Sequence, residues 1–216
     1  MALIDLLLPP SCAGCGTYGV ALCDRCLGAM RPAGRPEDRF LAADPGIVVG
    51  EVLEVGVAAF AYEGPLRRML SKLKYVGVRR LADPLAGAAV AYLDPLLALV
   101  RPQALVPVPI HADRRRERGY NQAALLAEAL SRRCGVPTAE LLERRRMTAQ
   151  QHRLNRAARL RNLRDAFGLL PQARSPPTVM LIDDILTTSA TLEACAAVLL
   201  AGGATRVWGF ALAREV

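Results

Sequence analysis

Two adjacent carboxylates, Asp183 and Asp184, follow an apolar run at residues 179–182 and precede a hydroxyl-rich run at residues 187–191. The apolar run has the pattern of a buried β-strand, so both carboxylates are expected at its carboxyl end. A helical pattern begins directly afterwards, and the N–H groups of a loop and helix N-terminus can hold a phosphate dianion. Carboxylates can accept hydrogen bonds from ribose hydroxyls. The segment therefore predicts a ribose-phosphate ligand before it predicts any reaction.

Four of the six cysteines form two C-x₂-C pairs, Cys12 with Cys15 and Cys23 with Cys26. Such pairs can place four thiolates around one cation at about 2.3 Å, which completes a tetrahedral site. Zinc is the first metal expected and iron–sulfur the second; a redox pair or chance clustering is the metal-free alternative. Four thiolates leave no open position for substrate, so the site would be structural.

Arginine is concentrated in one stretch. Residues 111–164 hold fourteen Arg, no Lys and five acidic residues, which gives +9 in a chain of net charge +8. Planar guanidinium groups suit bidentate contact with phosphate, so the stretch indicates contact with pyrophosphate or single-stranded DNA, with a solvated face as the alternative. Only Tyr120 and Phe167 are aromatic in or beside it, so DNA binding would be mostly electrostatic and salt-dependent. The predicted nucleic-acid contacts are Arg114, Arg115, Arg116, Arg144, Arg145, Arg146, Arg153 and Arg156.

The length of 216 residues and the 52% hydrophobic content fit one α/β domain with a small appendage. We place the cysteine module and a linker rich in Pro and Gly at residues 1–46, and the α/β domain at residues 47–216. Residues 1–8 predict a short amphipathic helix that ends at Pro9, without the basic region of a signal peptide. No apolar run approaches the roughly 20 residues of a membrane span, so a cytoplasmic protein without a span is expected.

Alternating strand and helix patterns predict a mainly parallel, twisted sheet flanked by helices. Strands are expected at residues 55–62, 105–110, 178–182 and 205–213, and helices at residues 66–75, 85–100, 121–133 and 190–201. Pro107 and Pro109 should make the second strand leave the sheet near Pro107. A basic loop is expected before the helix at residue 121, and residues 151–164 form either an exposed helix or a ligand-ordered loop. Ligands bind such sheets beyond the carboxyl ends of strands, which favours the loops at residues 107–122 and 183–191.

At this point the chain resembles a known family. Residues 179–191 are similar to the phosphoribosyl-pyrophosphate (PRPP) motif of type I phosphoribosyltransferases, and the wider chain is similar to the ComF family of competence proteins. The matching pieces occur in family order over nearly the whole chain. They are the four cysteines, Lys74-Tyr75, residues 107–110, residues 118–122, Gln150, Asn162, Ala166-Phe167 and residues 183–191.

The resemblance implies a type I phosphoribosyltransferase-like fold with a small N-terminal zinc module. It also implies that Asp183 and Asp184 contact the ribose hydroxyls, directly or through Mg²⁺. The implied 5′-phosphate loop consists of Thr187, Thr188, Ser189, Ala190 and Thr191. Pro107, Val108 and Pro109 would lie near the pyrophosphate loop. A mobile region that closes over the ligand would contain Arg118, Tyr120, Asn121 and Gln122.

Two departures bear on activity. Many phosphoribosyltransferases that use a nucleobase have an acid at the position of Thr187, where it can act as a general base. Threonine cannot do so at neutral pH, although the ComF pattern usually carries it. Ser189 stands where Gly is more usual, and Gly would allow a positive φ and a close backbone approach to phosphate. Phosphate binding is therefore better supported than turnover.

Three functions are consistent with these features. The first is a ComF-like protein that binds PRPP or a related ribose phosphate with Mg²⁺, carries structural zinc, and acts in uptake or handling of single-stranded DNA during transformation. The second is an active phosphoribosyltransferase acting on a small nitrogen nucleophile. The third is a non-catalytic scaffold for a competence helicase or a recombination mediator.

Overall fold

The computed structural model describes residues 10–34, 46–146 and 165–215. Several features named above lie outside these ranges: the N-terminal amphipathic segment, most of the linker, Gln150, Asn162, Arg153, Arg156 and the segment at residues 151–164.

A five-stranded sheet forms the centre of the molecule, with the strand order β1-β2-β7-β6-β3. Its strands are β1 (Ile47–Val49), β2 (Val55–Ala61), β3 (Ala104–Pro107), β6 (Thr178–Leu186) and β7 (Arg206–Arg214). The β2–β7, β7–β6 and β6–β3 pairs are parallel, and β1 adds an antiparallel edge. A separate antiparallel pair is formed by β4 (Leu142–Arg144) and β5 (Phe167–Leu169). The predicted mainly parallel α/β architecture is confirmed.

Helices cover both faces of the sheet. The helices that the structure describes are α1 (Asp24–Gly28), α2 (Gly64–Tyr75), α3 (Ala82–Val100), α4 (Ala112–Arg118), α5 (Gln122–Cys134) and α6 (Ala190–Ala201), with a 3₁₀ turn at Arg79–Leu81. One apolar cluster joins α2, α3 and α5 to Met180 and Ile182 of β6. A second joins α6 to Val179 and Leu181 of the same strand. Successive side chains of β6 thus pack against helices on opposite faces of the sheet, as the alternation of side chains along a strand requires.

The structure corrects two of the predicted elements. Residues 112–118 form helix α4 and not a loop, because His111 caps it by accepting the Asp113 N–H and Gly119 ends it at φ 75°. Strand β6 runs to Leu186, past the expected end at residue 182, since β7 pairs with it as far as Arg214. The chain leaves the sheet at Pro107 as expected.

One stretch of the described chain, Arg79–Val100, is long and apolar enough to cross a membrane by length and composition alone. Asp83 and Asp94 interrupt this stretch, so the sequence shows no unbroken apolar run there. Leu85, Leu93 and Leu96 are fully buried in the cluster under the sheet, as expected of the core helix of an α/β domain.

The described part of the cysteine module packs on the α/β domain. Ala13 and Met30 belong to the cluster that holds α2 and α3, and Arg68 of α2 donates to the carbonyl of Gly14 at 2.7 Å. Pro32 forms a β-bridge with Phe60 of β2. These contacts fix the four-cysteine cluster against one edge of the sheet.

Candidate ribose-phosphate site and its surroundings

Asp183 and Asp184 lie in the last part of β6. Neighbouring strand β3 ends at Pro107 opposite Ile182, whereas β7 continues to pair with β6 beyond the two carboxylates. The aspartates therefore extend past the end of β3, at the carboxyl edge of the parallel sheet where ligands of such folds bind.

Asp184 pairs with Lys74 of helix α2. Lys74 Nζ lies 2.8 Å from Asp184 Oδ2, and the two side chains are 19% and 4% exposed. Burial alone would lower the pKa of Lys74, but the charges of Asp184 and Asp183 outweigh it and the net pKa is raised. The ammonium is therefore held in its charged form beside the buried carboxylate.

Asp183 has a different environment. Its Oδ1 accepts the backbone N–H of Asp184 at 2.8 Å. Burial and the charge of Asp184 raise the pKa of Asp183 well above its usual range, although the N–H of Asp184 and the charge of Lys74 act against the rise. Two neighbouring carboxylates, of which only Asp184 pairs with an ammonium, form an oxygen-rich site, and hard divalent cations prefer such donors.

The segment at residues 187–189 forms the turn between β6 and α6. Thr187 and Thr188 are exposed, Ser189 is buried, and Ala190 and Thr191 are half-buried in the first turn of α6. Ser189 caps α6 in the left-handed conformation, φ 57° and ψ −10°, and its Oγ donates to the Thr188 carbonyl at 2.6 Å. Serine thus adopts the backbone conformation for which glycine would be the unstrained choice.

Glu193, in the first turn of α6, is a residue that sequence reasoning missed. Its carboxylate accepts the backbone N–H groups of Glu51 at 2.8 Å, Val52 at 3.0 Å and Leu53 at 3.3 Å. Glu193 is 8% exposed, so these three bonds satisfy a buried charge. They tie the β1–β2 connection to the helix that follows the turn.

The proline segment after β3 lies beside β6. Val108 N donates to Ile182 O at 2.9 Å, and Val108 O accepts from Asn121 Nδ2 at 2.9 Å. Pro109 is buried. Asn121 also caps α5 by accepting the Ala123 N–H at 3.0 Å. Asn121 therefore holds the proline segment and the start of α5 together.

Three further residues predicted to contact ligand, Arg118, Tyr120 and Gln122, make hydrogen bonds within the protein. Tyr120 is buried and donates to the carbonyl of Leu73. Gln122 is buried, and its Oε1 accepts from Arg118 at 3.0 Å. Closure of this region over a ligand stays a prediction.

A cleft of about 440 Å³ opens between the end of α2 and helix α4. Its lining includes Lys74, Tyr75, Val76, Arg114, Arg118 and Tyr120. Because Lys74 also pairs with Asp184, the cleft adjoins the carboxylates. We refer to it below as the α2–α4 cleft.

The predicted DNA-contacting arginines that the structure describes have different environments. Arg144 is half-buried with its guanidinium 5.3 Å from the centre of the Phe167 ring. Burial and the charge of Arg114 lower the pKa of Arg144, and the charge of Asp183 partly opposes them. Arg145 instead crosses Gly168 and bonds Glu143 at 2.9 Å, and Arg146 is exposed.

The four cysteines of the module lie together as predicted. Their sulfur atoms are all within 4.8 Å of one another, and the Cys15 and Cys23 sulfurs are 3.6 Å apart. That distance far exceeds a disulfide bond of about 2.05 Å and is close to the roughly 3.8 Å edge of a tetrahedron with zinc–sulfur bonds of about 2.3 Å. The cluster could hold a structural metal such as zinc.

The electrostatics of the cluster agree with its geometry. The Thr17 hydroxyl and backbone lower the pKa of Cys15 to about 5, with help from Arg25. Burial and the hydrogen bonds that the Cys26 thiol donates to neighbouring cysteine sulfurs raise its pKa to about 12. Four crowded thiols cannot all lose their protons without a cation to offset the charge, which is the role that a metal would fill.

Known proteins resemble this chain over most of its length, although no family model matches it. Competence protein F of Haemophilus influenzae is 31% identical over 217 residues, which cover 94% of this chain and 85% of that protein. DNA utilization protein YhgH of Escherichia coli strain K12 is 31% identical over 218 residues, 98% of this chain and 86% of the relative. Competence protein ComFC of Streptococcus pneumoniae is 31% identical over 157 residues, 73% of this chain and 67% of the relative.

Proposed function

Because the chain belongs to the ComF family of competence proteins, we propose that it binds PRPP or a related ribose phosphate with Mg²⁺ and acts in the uptake or handling of single-stranded DNA during transformation. The names of its relatives support a role in competence and DNA utilization. The ligand and its site are our inference from the residues, and a cytoplasmic location is part of the proposal.

The observation that carries the ligand proposal is the placement of two carboxylates beside a strained turn. Asp183 and Asp184 lie in the last part of β6, which ends at Leu186, and the left-handed Ser189 caps α6 five residues after Asp184. Backbone N–H groups at a helix N-terminus have no partner within the helix and favour a phosphate dianion. A ribose 5-phosphate could thus place its phosphate at the turn and its hydroxyls toward the aspartates.

Mg²⁺ fits the same arrangement. A divalent cation would supply the positive charge that Asp183 and Asp184 together lack, since Lys74 offsets only one carboxylate. When bound with PRPP, it would neutralise ligand phosphates and link them to the two aspartates. Lys74 would then orient Asp184, and the turn at residues 187–189 would hold the 5′-phosphate.

Calorimetry with PRPP tests this proposal. The wild-type protein should bind PRPP in Mg²⁺ and bind it more weakly in EDTA. The paired variant Asp183→Asn/Asp184→Asn should lose binding by at least about tenfold, because charge-assisted hydrogen bonds are worth roughly 1.5–3 kcal/mol each. Asp94→Asn is a matched control, since Asp94 is an exposed aspartate on α3. Absence of PRPP binding by the wild-type protein would refute the ligand proposal.

Turnover is tested separately. Thr187 is exposed at the position where phosphoribosyltransferases that use a nucleobase have an acid, and a hydroxyl does not take up a proton at neutral pH. We therefore expect no pyrophosphate release with nucleobases, ammonia or glutamine as acceptors. Release with any of these, abolished by the paired aspartate variant, would establish an enzyme in place of a binding protein.

For the cysteine module we propose zinc. The donor set is four thiolates, which favours zinc over the harder divalent cations. The metal would fix residues 12–26 against α2 and β2, without taking part in ligand chemistry.

A further inference from the structure

Tyr75 is an exposed aromatic ring at the rim of the α2–α4 cleft. Its exposed fraction is 71%, and the neighbouring Val76 is 67% exposed. Tyr75 ends helix α2, which is far in sequence from the arginine-rich stretch. The fold nevertheless brings it against helix α4, so the basic region has an accessible aromatic residue that the sequence did not reveal.

Arg118 occupies one face of the Tyr75 ring. Its guanidinium carbon lies 4.9 Å from the ring centre, within the range of a cation–π contact. The contact holds the ring in place while most of its surface remains open to solvent. A ring fixed in this way loses little conformational freedom when a planar ligand stacks on it.

The cations of the cleft are distributed unevenly over helix α4. Arg115 pairs with Glu140 at 3.7 Å, and Arg116 pairs with Asp113. Arg114 and Arg118, which line the cleft, have no carboxylate partner among the described residues. They are four residues apart and so share one helix face. Glu117 is the one acid among the cleft-lining residues that the structure describes.

We propose that the α2–α4 cleft is a subsite for single-stranded nucleic acid, in which one unpaired base stacks on Tyr75 and the adjoining phosphates contact Arg114 and Arg118. An aromatic ring with cations around it matches a base flanked by phosphates. A duplex keeps its bases stacked on one another, so the platform selects single strands. This inference deepens the DNA-handling part of the proposed function and makes no use of PRPP.

Fluorescence anisotropy with labelled strands of equal length tests the platform. One strand is oligo-dT, and the other has the same phosphates with abasic sugars. The wild-type protein should bind oligo-dT about fivefold or more tightly than the abasic strand, because stacking supplies that difference. Tyr75→Ala should remove the preference and Tyr75→Phe should keep it, because the phenyl ring can still stack.

Arg118→Gln and Tyr18→Ala separate charge from stacking. Arg118→Gln should weaken binding of both strands and lower the slope of log affinity against log salt by about 0.7 for each phosphate that the protein no longer neutralises. Tyr18 is 79% exposed on the cysteine module, so Tyr18→Ala should leave both affinities unchanged. Thermal unfolding of every variant checks that the fold is kept.

The proposal is overturned if the wild-type protein binds neither strand, if it binds both equally, or if Tyr75→Ala still prefers oligo-dT. PRPP calorimetry on Tyr75→Ala distinguishes this failure from failure of the ligand proposal. Intact PRPP binding without base preference rejects the platform alone. Base preference in a protein that does not bind PRPP rejects the ligand proposal alone.

Discussion

Lys74 Nζ and Asp184 Oδ2 form an ion pair of 2.8 Å between helix α2 and strand β6, and only 4% of the Asp184 side chain is exposed. The contact joins residues that are 110 positions apart in the sequence. It places a positive charge beside a buried carboxylate of the proposed ligand site. The pair is therefore both a structural link and part of the proposed ligand site.

Replacing Lys74 with Met should destabilise the folded protein. The substitution leaves Asp184 as a buried carboxylate without its counter-charge, a change that typically costs about 3–5 kcal/mol. The measurement is the free energy of unfolding from urea titration at pH 7. Mg²⁺ should recover part of the loss, because binding only to the native state stabilises it.

Two further variants make the Lys74 test specific. Lys72→Met removes a neighbouring charge from α2 that has no ion pair in the described part of the chain, and should change stability by no more than about 0.5 kcal/mol. The double variant Lys74→Met/Asp184→Asn should recover most of the loss. If Lys74→Met and Lys72→Met proved equally mild, the pair would not be a structural link.

Asp183→Asn should stabilise the protein at neutral pH. The pKa of Asp183 is raised in the folded state, so its stabilising contribution is present below the unfolded value of about 3.9 and is lost as pH rises through the folded pKa. Asparagine has no such dependence and can still accept the Asp184 N–H. The variant's advantage should therefore be largest near pH 7 and shrink toward pH 4, as measured by urea unfolding across that range.

The matched control for this pH dependence is Asp94→Asn. It makes the same chemical change at an aspartate that is exposed on α3, so it measures the effect of the substitution away from the site. A variant Asp183→Asn that is less stable than wild type at pH 7 would contradict the raised pKa. A stability advantage of Asp183→Asn that increases as the pH falls would also contradict it.

Ser189→Gly should stabilise the turn before α6 by up to about 1 kcal/mol. A left-handed conformation costs an L-residue roughly 1–2 kcal/mol, and glycine avoids this cost. The larger conformational entropy of glycine in the unfolded chain cancels part of the gain. The same substitution at Ser71, within helix α2, should instead cost about 0.5–1 kcal/mol. Thermal unfolding of both variants gives the comparison; equal losses at the two positions would show that the Ser189 backbone is not strained.

The cysteine cluster should hold about one zinc per chain, because four thiolates complete one site. Elemental analysis of purified protein gives the ratio. Cys15→Ser should lower it, whereas Cys134→Ser should not, since Cys134 lies on α5 outside the cluster. A folded wild-type protein without metal would contradict the zinc proposal.

The longer elements could be predicted from the sequence because each shows its own periodic pattern. Helix α6 has the predicted bounds, and β2 and β7 agree to within one residue at each end. The three-residue strands β1, β4 and β5 could not be predicted. So short a strand carries no period, and its stability depends on a partner elsewhere in the chain.

The candidate site was predictable only in part for a related reason. The two carboxylates followed by hydroxyls, and the paired cysteines, each lie within a short contiguous segment, so the sequence shows them directly. The contacts of Lys74 with Asp184 and of Glu193 with the β1–β2 connection join residues that only the folded chain brings together. Tyr75 likewise contacts Arg118 only through tertiary packing. The sequence therefore does not place Tyr75 beside the arginines.

The bridge between Pro32 and Phe60 has a consequence for association between molecules. Residues 31–33 exchange backbone hydrogen bonds with Ala59 and Ala61, next to the part of β2 that β1 covers. At the opposite edge, the segment at residues 137–139 bonds Leu105 of β3 in the same manner. The part of β2 beyond β1 and the edge strand β3 thus both have covered edges, and uncovered edges are where sheets of separate molecules join. If metal holds the cysteine module in place, removing it should uncover β2, and the first sign of metal loss would be aggregation that increases with protein concentration.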